Sequence, residues 1–230
     1  MRIIFFFLIV FSVGIIGCNS NDSNEKQSVS QTQQKEVFGS QGTNNNAPTS
    51  IDEAVQKVII AFKNQDTIVI DEHIHPEKGL YFVQSTQGVN SQYSNYSGSS
   101  ELFMDSESSS EFETNPLKYM LDYFNNVDED EMEIVTEDLF GVDVCEFDSE
   151  GFFIDSNEAD IKLLTDVYTM NVAADGSEIN PNELVKLGEM QNEVSKTVII
   201  GDGEEAYSLY FTFENGKWWL SIMDLRECGI

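Results

Sequence analysis

The stretch Leu209-Tyr210-Phe211-Thr212-Phe213-Glu214-Asn215-Gly216-Lys217-Trp218-Trp219-Leu220-Ser221-Ile222 decides the fold. Asn-Gly is the preferred two-residue turn of a tight hairpin, because both turn positions need positive φ. Pairing outward from it sets Glu214 opposite Lys217, Phe213 opposite Trp218, Phe211 opposite Leu220 and Leu209 opposite Ile222. One face is then wholly apolar, and the other carries Tyr210, Thr212, Trp219 and Ser221. Such alternation predicts an antiparallel sheet with one buried and one accessible face. Val198-Ile199-Ile200, ahead of Gly201-Asp202-Gly203, predicts a third strand beside the hairpin.

Working outward, Ser50-Ile51-Asp52-Glu53 has the form of a capping box, and Ile51, Ala54, Val55, Val58, Ile59 and Phe62 follow at helical spacing. Residues 66–74 fit either a short helix or an extended piece. His75-Pro76-Glu77-Lys78-Gly79 predicts a turn, with a strand over Leu80 to Gln84 after it. Residues 85–115 are rich in Ser, Gly, Asn and Glu with isolated aromatics, and predict one long loop. Asn115-Pro116 opens a helix whose Leu117, Met120, Leu121, Phe124 and Val127 share a face, and two more helices are expected at about 158–171 and 181–194.

Composition excludes whole classes of partner. Asp and Glu number 41 against 12 Lys and Arg, a formal charge of −29, so a nucleic acid would be repelled at every approach. The 11% aromatic content exceeds what a wholly disordered acidic chain carries, and it is enough for one core.

The other end of the chain speaks of location. Met1-Arg2 is a short cationic start, Ile3 to Ile16 is almost unbroken apolar sequence, and Gly17-Cys18 follows. The run is too short to span a bilayer, which takes about 20 residues, but it suits a secretory signal. Ile15-Ile16-Gly17-Cys18 resembles the cleavage box of bacterial lipoproteins. That resemblance implies a signal peptide over 1–17 and Cys18 as first mature residue, bearing a diacylglycerol thioether and a further acyl chain such as palmitate. The alternative is a plain secretory signal with an incidental cysteine. Asn19 is not the aspartate that retains some lipoproteins at the inner membrane, which leans towards the outer membrane, periplasmic or surface face. Several acyl chains together hold a protein on lipid where one does not. Residues 18–49 carry few apolar side chains and no periodicity, and read as a flexible linker with a reach on the order of 30 Å.

Together, the lipid-attachment box, the opening helix, the turn 75–79 leading into Leu80-Tyr81-Phe82-Val83 and the closing Asn-Gly-Lys-Trp hairpin resemble a set of small bacterial lipoproteins. More loosely, they resemble the nuclear transport factor 2-like cone fold. The resemblance covers about 51–84 and 195–228. It implies an α+β fold, a curved antiparallel sheet with packed helices, as one domain over 50–230. Members of that fold include enzymes, carriers and interaction modules, so no catalytic residue is carried over.

Four constellations remain. His73 and His75 could begin a zinc site with Asp71, Glu72 and Glu77, but in so acidic a chain a turn-stabilising or core-edge pair of histidines is favoured. Residues 175–183 lie between two helices like a calcium loop, yet each register loses essential oxygen ligands, so a structural loop with an N-cap is favoured. Asp128-Glu129-Asp130-Glu131 with Glu133 reads as solvated loop. Cys145 and Cys228 are left once Cys18 is acylated, and export to an oxidising compartment makes their disulfide the expectation, against two free or buried thiols.

The sequence thus points to a lipid-anchored envelope protein, a binding or interaction module whose ligand or envelope partner contacts the Tyr210–Trp219 face. It calls for neither cofactor nor metal. The alternatives are a helix covering that face as a second core layer, and, for function, a small-pocket hydrolase or isomerase of cone-fold type.

Overall fold

The computed structural model describes residues 50–85, 91–108, 116–129, 132–140, 142, 144–203 and 205–226. The lipid-attachment box, the expected linker and Cys228 therefore lie outside the described residues. The described chain is α+β, with helices α1 (Ile51–Lys63), α2 (Thr67–Glu72), α3 (Ser99–Ser108), α4 (Pro116–Asn126), α5 (Leu163–Asp175) and α6 (Pro181–Asn192). The strands are β1 (Leu80–Ser85), β2 (Gln92–Tyr96), β3 (Ile134–Glu137), β4 (Glu150–Asp155), β5 (Lys196–Asp202), β6 (Ala206–Glu214) and β7 (Lys217–Arg226). They form one seven-stranded sheet in the order β2-β1-β7-β6-β5-β4-β3.

The sheet is mixed rather than wholly antiparallel: β1 runs parallel to β7, and β3 to β4. The closing strand is consequently central, seated between β1 and β6. Near-continuous apolar runs such as Leu80-Tyr81-Phe82-Val83 suit strands covered on both faces. Both faces are covered. Val55, Val58, Ile59 and Phe62 of α1 join Leu117, Met120 and Phe124 of α4 over Phe82, Leu209, Phe211, Leu220 and Met223. On the opposite face, Leu163, Leu164 and Val167 of α5 and Leu187 and Met190 of α6 cluster with Tyr81, Val83, Tyr210 and Ile222. The expectation of an accessible second face therefore fails at Tyr210, which is 7% exposed.

The hairpin register holds from Glu214↔Lys217 to Phe211↔Leu220, and there a bulge intervenes. Ser221 is the extra residue, so Tyr210 faces Ile222 and Leu209 faces Met223, correcting the expected Leu209–Ile222 pair. A one-residue shift sends each following side chain to the other face. Met223 thereby joins the larger core and Ile222 the smaller one. Ser221 Oγ, left in the interior, donates to Thr212 Oγ1 at 2.8 Å.

Helix starts follow the capping signals. The Glu53 N–H donates to Ser50 Oγ at 3.2 Å, and the Asn182 N–H to Asn180 Oδ1 at 3.0 Å. Within 66–74, Thr67–Glu72 resolve as helix, since Asp66 Oδ1 accepts from the Val69 N–H at 3.2 Å, while Ile74 is extended and bridges to Leu220. The expected loop at 85–115 instead contains β2 and α3. Their apolar content is small, but Tyr96 and Leu102 are buried, and Asp71 Oδ1 of α2 accepts from the Ser99 N–H at 2.6 Å, capping α3 from another helix. Across 175–183 the end of α5 is closed by Gly176 in the left-handed conformation, φ 67°, and α6 is opened by the Asn180 cap. No described helix is long and apolar enough to cross a membrane.

Candidate functional site

The turn between α2 and β1 organises the most strongly connected polar region. His75 Nδ1 accepts from the backbone N–H groups of Glu77 at 3.2 Å and Lys78 at 3.3 Å. The Gly79 N–H returns to the His75 carbonyl at 2.9 Å. Gly79 has φ +71°, and a Cβ there would lie 2.6 Å from the Tyr96 carbonyl oxygen, so only glycine lets the turn sit against β2.

This pinned turn aims Lys78 at two other elements. Its ammonium donates to Glu193 Oε2, just past α6, at 2.7 Å and to Glu214 Oε2, at the tip of β6, at 2.5 Å. Hydrogen bonds to those two carboxylates raise the Lys78 pKa, and the bond from Lys78 lowers that of Glu214. His75 Nε2 lies 3.5 Å from Glu214 Oε2, and its ring meets Trp219 edge-on at 5.1 Å. The Lys217 ammonium stands 4.2 Å from the centre of the Trp219 ring. Trp219 Nε1 donates to the Glu214 carbonyl at 3.3 Å. Trp219 is thus half-buried in a lattice of charges, while its expected partner Tyr210 lies beneath α5 and α6. The structure does not join the two into one binding face.

Beside Lys78 opens a cleft of about 240 Å³ between β1, β2 and α6. Tyr81 and Met190 contribute its apolar lining, while Glu77, Lys78 and Asn95 flank it from the turn and β2. Lys186 and Glu189 approach from α6, and Glu193 from just past its end. Asn95 Nδ2 donates to the Lys78 carbonyl at 3.0 Å, binding the strand side to the turn. The Lys186 ammonium is 6.0 Å from the Tyr81 ring centre, and Tyr81 packs 6.2 Å from Tyr93. Tyr93 donates to Glu183 Oε1 at 3.3 Å, and burial, followed by the Glu183 charge, pushes its phenol up to about 12.

The histidines part company. His73 is buried at the end of α2, where Nδ1 donates to the Val69 carbonyl at 2.9 Å, and burial lowers its pKa. His75 belongs to the turn. Among the described residues, no three His, Cys, Asp or Glu side chains gather as a metal ion would require. In the acidic run, Glu129 pairs with Lys63 at 3.5 Å, and residues 130 and 131 lie outside the described residues. Cys145 sits in a single 3-10 turn, Val144–Glu146, and is engaged rather than free.

Sequence reasoning assigned His75 to the turn and Trp219 to a face with Tyr210, but it did not bring His75 and Trp219 together and it missed the cleft. The available signal was the stripe Glu183, Lys186 and Glu189, whose spacing puts them on one face of the helix expected at 181–194. Of the facing side, Asn95 was hidden, because β2 lay in the stretch read as loop. Comparison of the chain with protein families, with curated proteins and with solved structures finds no match.

Proposed function

We propose that this chain is a lipoprotein of the bacterial cell envelope, anchored by acylated Cys18, whose folded domain is a binding module taking a small polar ligand in the cleft between β1, β2 and α6. The cleft carries this reading: charges of both signs and a tyrosine ring converge on one concavity. Pockets with a few convergent polar groups over an apolar floor are the usual sites of small ligands. Glu77, Glu189 and Glu193 are all exposed, an environment that suits recognition better than a buried acid tuned for catalysis, and this disfavours the hydrolase or isomerase alternative. The anchoring part rests on Ile15-Ile16-Gly17-Cys18, and placement at the outer membrane on Asn19. A Cys145–Cys228 disulfide belongs to the same envelope reading.

Retention of envelope metabolites tests the binding role. Full-length protein purified in detergent is incubated with a small-molecule extract of bacterial envelopes, and retained compounds are identified by mass spectrometry. The parent protein is expected to retain a compound that a Glu189→Trp variant, with its cleft obstructed from the exposed side of α6, does not. Equal retention by both, or none by either, would contradict the proposal.

A further inference from the structure

The cleft's charges are not all neutralised from within. Lys78 is shared between Glu193 and Glu214. Among the described residues, Lys186 makes no ion pair, and the Glu77 and Glu189 carboxylates make neither an ion pair nor a hydrogen bond. Among the described residues, one cation and two carboxylates therefore face the cleft without an ion-pair partner, Lys186 having only the Tyr81 ring, 6.0 Å away.

From this we propose, resting on the cleft as the binding site, that the ligand is a zwitterion of the amino-acid class carrying an additional positive charge. Its carboxylate pairs with Lys186 and its cationic groups with Glu77 and Glu189. Size points the same way, because about 240 Å³ falls below the roughly 300–1,000 Å³ of drug-sized sites. An aliphatic stem would lie along Tyr81 and Met190, the apolar part of the lining. The field of the whole chain, with a formal charge of −29, repels a ligand of net negative charge and attracts one of net positive charge. A neutral sugar would leave three charged groups unanswered, and a plain diamine would meet Lys186 with repulsion.

Calorimetric titration of the full-length protein at low ionic strength tests this with L-arginine, putrescine, L-glutamate and glucose. L-Arginine is expected to bind tightest, and to weaken at least tenfold in Lys186→Met and in Glu189→Gln. Putrescine should bind more weakly to the parent and improve in Lys186→Met, where the repulsion is gone. Both substitutions lie at exposed positions of α6, and unchanged circular dichroism and Tm would show that the fold survives. Absence of arginine binding, or binding indifferent to both substitutions, would overturn the ligand class. Tightest binding of L-glutamate or glucose, abolished by Glu189→Trp, would also overturn it while leaving the cleft itself as the site. Retention of an extract compound unaffected by Glu189→Trp would remove the cleft reading instead.

Discussion

Tyr210 and Trp219, on the two strands of one hairpin, have opposite fates: Tyr210 faces Ile222 beyond the bulge, and Trp219 faces Thr212. Tyr210 is enclosed by α5 and α6, where burial, with the nearby Asp224 charge, raises its phenol pKa. Trp219 is half-exposed and held by His75 and Lys217. In denaturant unfolding, Tyr210→Ala is expected to cost about 3–5 kcal/mol, as truncation of a buried aromatic does. Trp219→Ala should cost about 1–2 kcal/mol, the scale of an aromatic pair plus a cation–π contact. Equal costs would refute the division. His73 gives a pH signature: its folded pKa lies below 6.5, chiefly through burial and against the favourable bond to Val69. The unfolded chain then binds the proton first as pH falls, so this group's stabilisation is present above 6.5 and is lost as pH drops through the folded value. His73→Asn keeps a donor for Val69 but cannot titrate. Its stability between pH 7 and pH 5 should fall less steeply than the parent's.

At the scale of elements, the turn 75–79 fastens the hairpin tip and α6 to β1. Gly79→Ala forces a Cβ into a left-handed conformation against Tyr96, a strain of about 1–3 kcal/mol. The Lys78 clamp should loosen with it, so Trp fluorescence, which comes only from the adjacent Trp218 and Trp219, is expected to shift along with the lowered Tm. An unchanged spectrum and Tm would show that the turn does not position the tip. This region also shows what was legible in advance. The hairpin, α1, α4 and the turn were readable because Asn-Gly, a capping Ser, an N1 proline and clear periodicity act locally. The bulge at Ser221 was not readable, since its cause is the demand of two cores for Met223 and Ile222 on opposite faces. β2 and α3 were unreadable for a related reason: Tyr96, Leu102 and a cap from Asp71 hold them, and all three act through other elements. The cleft was hidden because its lining is gathered from the turn, β1, β2 and α6, which no local pattern brings together.

For the whole molecule, the proposed envelope residence makes connected claims about cysteine chemistry. A Cys145–Cys228 bridge would close a long loop and stabilise the fold by about 2–4 kcal/mol. Mass spectrometry of unreduced, thiol-alkylated protein should find both cysteines unlabelled, and reduction should lower the Tm. Alkylation of both without reductant would exclude the bridge. The proposed anchorage rests on Cys18, and metabolic labelling with a fatty-acid analogue in a bacterial host tests it most directly. The parent protein is expected to carry the label, and Cys18→Ala to lose it and accumulate as a larger, uncleaved precursor. Label persisting in Cys18→Ala, or a parent protein that takes up none, would contradict a lipid-anchored envelope protein.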